Sequence, residues 1–101
     1  MGTRLELQTV LKGLQEDLNV YFQPPANVQM AYPAIVYNRD YLHSSFADNL
    51  PYSRTNRYQV TVIDPDPDSP VPDLVAALPM VNYVRHFTAN NLNHDIYYMY
   101  F

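Results

Sequence analysis

Leu7, Leu11, Leu14 and Leu18 recur at spacings of four, three and four, with Val10 beside them. This is one face of a 3.6-residue period and predicts an amphipathic helix over residues 3–19. Thr3 and Glu6 fit a capping box at its start. Gln8, Lys12, Gln15, Glu16 and Asn19 form the polar side. Gly13 weakens such a helix by about 1 kcal/mol relative to Ala, and Pro24-Pro25 lie beyond its expected end. The polar side is not rich in Lys or Arg, so the leucine stripe is read as core-facing and not membrane-lying.

The period then changes to two. Ile35, Val36, Tyr37 and Tyr41 supply β-formers for a strand over 34–42. Tyr58, Val60 and Val62 alternate with Gln59 and Thr61, so 57–63 is a strand with one buried face. Residues 43–56 between them are polar and hold Pro51. They are read as either a tongue-like extended hairpin or a mobile loop, and connections of that length are often functional. Leu74, Val75 and Leu78 give a short helix over 72–78, stopped by Pro79. Strands are expected at 80–87 and 92–101, joined by a polar turn at 88–91. In "HDIYYMYF", Ile96, Tyr98 and Tyr100 fall on one face, and Tyr97, Met99 and Phe101 on the other. Both faces are apolar, so this strand is central or has one face covered by another subunit. The expected order is α-β-β-α-β-β. It predicts a single α+β domain over 1–101, an antiparallel four-stranded sheet with helices packed on one face.

Composition narrows the partners. A chain of 101 residues supports one modest core. Ten Tyr against four Phe and no Trp favour half-wet surfaces and raise the expectation of a protein–protein interface. The formal charge is −4 with only six Lys and Arg, which disfavours a dedicated nucleic-acid-binding surface. The absence of Cys excludes disulfides, thiolate zinc sites and Cys nucleophiles. No apolar run approaches the roughly 20 residues that span a bilayer. The first residues lack a signal peptide's apolar core, and Glu6 stands where a myristoylation motif wants Ser or Thr.

The densest acidic stretch is "IDPDPDSPVPD" at 63–73. Asp64, Asp66 and Asp68 match the opening of a calcium loop, but Ser69 replaces its turn glycine and Val75 its bidentate Glu. Interleaved prolines stiffen a segment that would have to curl around an ion. The stretch is therefore read as a strand exit and helix start, with Asp68 or Ser69 accepting from early amides and Asp73 near the positive dipole end. His43, His86 and His94 lack ligand spacing. His94 and Asp95 are adjacent and point to opposite faces of a strand. The serines lack a nucleophile elbow. With glycine only at 2 and 13, no phosphate-cradling loop is possible. No catalytic, cofactor or metal residue is assigned. A small metal-dependent or acid–base enzyme using Asp64, Asp66 and His86 is the minority reading. In "LPYSRTNRYQV" at 50–60, Arg54 and Arg57 interleave with Tyr52 and Tyr58. Arg and Tyr stack on bases but also favour protein interfaces, and the acidic balance points to the second.

Three segments, "YPAIVY" at 32–37, "NRYQVTVIDPDPDSPVPDLVAALP" at 56–79 and "FTANNLNHDIYYMYF" at 87–101, resemble the tail-terminator or tail-completion proteins of long-tailed bacteriophages of Gram-positive bacteria. These are often labelled minor capsid or head–tail joining proteins. The resemblance covers most of the chain after about Ala31, while the first helix agrees in type only. It implies a sheet packed with two helices and a non-enzymatic protein without cofactors. It further implies a homo-oligomeric ring, commonly a hexamer, on the head-proximal end of the tail tube. Implied partners are the major tail tube protein and the head connector, with DNA only passing through the lumen and no membrane. The implied location is the virion's tail–head junction, after assembly in the host cytoplasm. An acidic or neutral lumen lets DNA slide, which fits the net charge. Such terminators are longer than this chain, which keeps a head-side joining protein of similar fold as the second reading. The residues expected to contact a neighbour or partner are Tyr52, Arg54, Arg57, Tyr97, Tyr98, Met99, Tyr100 and Phe101.

Overall fold

A computed structural model describes residues 3–16, 18–25, 29–47 and 50–101, with the side chains of 40–56 outside that description. The elements run α1 (Arg4–Lys12), β1 (Asn19–Phe22), β2 (Ala34–Ala47), β3 (Leu50–Asp64), α2 (Val71–Ala76), β4 (Val81–Ala89) and β5 (Leu92–Tyr100). The strands form a single five-stranded sheet in the order β1-β2-β3-β5-β4. The expected four-stranded antiparallel sheet is therefore incorrect. The sheet is mixed, because β1 runs parallel to β2, and the order is α-β-β-β-α-β-β.

The missing strand begins at Asn19, the last residue of the segment read as helix, and continues to Phe22. The capping box forms as the sequence indicates: the Glu6 amide donates to Thr3 Oγ1 and the Thr3 amide to Glu6 Oε1. The helix nevertheless ends at Lys12, with Gly13 as its cap. Leu18 is buried, but from the turn ahead of β1, and the β-formers Val20, Tyr21 and Phe22 pair in register with Ile35, Val36 and Tyr37. Tertiary pairing overrides a leucine spacing that fits a helix equally well.

β2 and β3 continue through 43–47 and 50–56, pairing from Ala34↔Ile63 out to Ala47↔Leu50. Of the two readings, the hairpin is the one that forms. β5 joins β3 only from Arg57 inward, and β1 joins β2 only through Tyr37. Beyond those positions the hairpin is a two-stranded ribbon, about 24 Å long at the usual rise per residue. No apolar alternation is needed there, since no further strand lies beside it. The radius of gyration is 14.6 Å, against about 13 Å for a compact domain of this length, and the longest dimension is 51 Å. β4 and β5 close through Asn90 and Asn91, both at positive φ (53° and 63°). This is the left-handed pair that a two-residue hairpin demands and that Asn tolerates.

The core lies on one face of the sheet. Ile35 and Tyr37 of β2, Tyr58, Val60 and Val62 of β3, and Tyr97 and Met99 of β5 form it with Leu7 and Leu11 of α1 and Val71 and Val75 of α2. α1 lies over β1: Gln8 Nε2 donates to Val20 O (3.3 Å), and the Arg4 guanidinium sits 4.6 Å from the Phe22 ring centre. α2 lies beside β4 and is tied to β5 by the Tyr97 hydroxyl, which donates to Pro72 O (3.0 Å). Val71 is the first helical residue although Pro72 follows it, a position where helical geometry is disfavoured. Burial of the Val71 side chain in the core offsets that preference.

Candidate functional site

The acidic stretch is a turn. Asp64 is 8% exposed, its Oδ1 accepting from the Asp66 amide (2.9 Å). Asp66 Oδ1 accepts in the same way from the Asp68 amide (2.9 Å), and Ser69 Oγ from the Val71 amide (3.3 Å). Asn93 Nδ2 donates to Asp64 O (3.1 Å), fastening the turn to the start of β5. Asp64 and Asp66 thus each shape their own backbone two residues on. Among the described residues, no three His, Asp or Glu side chains converge.

The histidines are distributed by strand register. His86 of β4 faces Asp95 of β5, with Nδ1 2.8 Å from Oδ1. Sequence reading missed this pair because the partners are nine residues apart and meet only once β4 and β5 are in register. Asp64 lies two residues further along the sheet and two strands across, so the trio of Asp64, Asp66 and His86 is not assembled around this pair. Among the described residues, no hydroxyl is bonded to His86, so the pair lacks a nucleophile to activate. Beside it, burial pushes the Tyr97 phenol up to about 12, helped by the charges of Asp95, Tyr83 and Asp73. A phenol held neutral there donates to Pro72 O and anchors α2, which is a structural role.

The expected interface residues separate by face. Tyr97 and Met99 are buried in the core under the helices, and Phe101 packs half-buried against it. Tyr98 and Tyr100 fall on the opposite face, half-buried, where neither helix lies. Arg57 stacks over the Tyr98 ring at 4.2 Å. Tyr52 and Arg54 lie on β3 in the ribbon, with side chains outside the described set. Further along the same helix-free face, Phe87 stacks on His94 (4.5 Å between centres, 10° between planes), and Arg85 lies 5.0 Å from the Phe87 ring. Sequence reading did not single out this second cation–aromatic group, and the alternation Arg85-x-Phe87 was the available signal. The two groups make this face aromatic and cationic in an otherwise acidic chain. Such a composition suits protein contact, in which Arg and Tyr are enriched.

The remaining feature is the free edge. β4 borders solvent, and Met80, Tyr83 and Val84 along it are 67%, 57% and 40% exposed. Met80 holds a left-handed φ of 61°, unfavourable for a residue with a side chain, where its carbonyl accepts from the Tyr100 amide (3.0 Å). These observations describe a sheet with contact-prone surfaces and no assembled catalytic group among the described residues. No protein-family model matches the chain, and no curated protein matches it.

Proposed function

We propose that this chain is a non-enzymatic structural protein of a bacteriophage virion. It assembles as a ring on the head-proximal end of the tail tube, ends tube growth and docks the head. The observation that carries the proposal is the β2–β3 ribbon, which leaves the sheet for about 24 Å without a strand on either flank. Two-stranded ribbons are marginal alone in water, so one of this length gains its stability from a partner surface. In a ring on a tube, that surface is the tube or the adjacent subunit. The aromatic and cationic face with Arg57, Tyr98 and Tyr100 supports the same reading, as does the similarity of the sequence to tail-completion proteins. Deleting the gene in the phage that carries it tests the proposal by electron microscopy of the lysate. Overlong tails are expected. Normal-length tails beside filled, unjoined heads would transfer the role to head-side joining, and normal virions would end both readings.

A further inference from the structure

β4 and β5 pair Tyr83 with Tyr97 and then Arg85 with Ile96, leaving Val84 without an opposite residue. This is a β-bulge on an edge strand, a device that re-aims a side chain. Its effect falls on Arg85. In an unbroken antiparallel ladder, the Tyr83↔Tyr97 pair would put Val84 opposite Ile96 and Arg85 opposite Asp95. The extra residue gives Asp95 to His86 instead, with Nδ1 2.8 Å from Oδ1. Arg85 is turned to the helix-free face, beside Ile96. There it is exposed and 5.0 Å from the Phe87 ring, and among the described residues no carboxylate pairs with it. The bulge thus withholds from Arg85 the carboxylate that the register would have supplied.

Charges sort by face around it. Strand alternation places Arg57, Arg85 and His94 on the helix-free face, and no described Asp or Glu. Asp64 and Asp95 stand on the core side, Glu6 and Asp73 in the helices, and Glu16 in the turn leaving α1. Asp66 and Asp68 lie on the turn that crosses to α2. Arg57 is already engaged over Tyr98 at 4.2 Å, which leaves Arg85 as the docking charge. His94 Nδ1 lies 3.1 Å from Leu92 O, and a carbonyl only accepts, so Nδ1 donates and Nε2 is left for another partner.

We infer that the helix-free face docks a segment of a partner protein that carries a carboxylate among apolar side chains. Arg85 takes the carboxylate, and Phe87 and Tyr98 take the apolar neighbours. A guanidinium lying against a ring keeps its N–H edge for a carboxylate. The matching anion is a carboxylate and not a nucleic-acid backbone: a phosphate chain needs a row of cations, and the net charge of −4 repels it. The inference does not rest on the ring reading, and it names a partner chemistry which that reading leaves open.

The probe is a short soluble peptide alternating Asp with Leu, titrated into the isotope-labelled full chain and followed by NMR. Saturable shifts are expected at the amides of Arg85, Phe87 and Tyr98. The same peptide with Lys in place of Asp is expected not to bind. Arg85→Gln is expected to weaken binding roughly ten-fold. Lys12→Gln removes the same charge from α1 and is expected to leave binding unchanged. Both side chains are exposed, so circular dichroism of each variant is expected to match the parent. No shifts at millimolar peptide, shifts confined to the helices, or equal weakening by Lys12→Gln overturns the inference. Tighter binding of oligothymidylate than of the acidic peptide overturns it in favour of nucleic acid. The gene-deletion phenotype judges the ring reading separately.

Discussion

Three tyrosines share the core face yet answer to different physics. The Tyr97 hydroxyl has a carbonyl partner, so Tyr97→Phe is expected to cost about 1 kcal/mol, read from urea midpoints. Tyr58 is fully buried, and its hydroxyl has no partner among the described residues. Tyr58→Phe removes an uncompensated polar group and is expected to be neutral or stabilising by up to about 1 kcal/mol. The Tyr37 hydroxyl bridges Arg4 and Gln8 and so joins the helix to the second strand. Tyr97 also carries a pH signature. Its phenol titrates near 10.0 unfolded and at about 12 in the fold. Over that window the unfolded chain releases the proton first, so stability falls as pH rises from 10 toward 12. Chemical denaturation across that range is expected to show a steeper loss for the parent than for Tyr97→Phe.

The alternation of Tyr58, Val60 and Val62 made β3 readable, and of the two readings of β5, a central strand or one with a face covered by another subunit, the sheet order shows a strand flanked by β3 and β4. Short-range signals also revealed the capping box and a polar turn, which the structure narrows from 88–91 to Asn90 and Asn91. What the sequence concealed depends on partners distant along the chain. Asn19–Phe22 is too short to separate from a leucine stripe, and its parallel pairing is fixed by Ala34–Tyr37, which the local pattern does not specify. The His86–Asp95 pair required the β4–β5 register, and that register includes a shift between Tyr83 and Arg85. The ribbon was legible only as a choice between two readings, because a strand with no neighbours needs no alternation. Its independence has a direct consequence. Replacing residues 42–56 with an Asn-Gly turn keeps the Tyr41↔Arg57 pair and all of the β3–β5 ladder. That variant is expected to retain its circular dichroism and to melt within a few degrees of the parent, since it keeps every core side chain among the described residues. On the proposed tail role, it is expected to reproduce the deletion phenotype in the phage. By contrast, Leu11→Ala opens a cavity under α1 and is expected to cost about 2–5 kcal/mol.

One side of the sheet is sealed by two helices, and its margins and far face are left for contact. Amide hydrogen exchange offers a reading of that division. β3 and β5, interior and flanking the core, are expected to exchange slowest, and β4 faster. β3 is continuous for fifteen residues, from the ribbon tip at Leu50 to Asp64 beneath the acidic turn. Tension applied at the tip therefore runs straight down a strand held between two others. Its bonds to β5, from Arg57↔Tyr100 to Asp64↔Asn93, are loaded side by side in shear and do not peel one after another. The hairpin is thus a tether whose mechanical anchor is the middle of the fold, which is what the proposed role at a joint under load would call for.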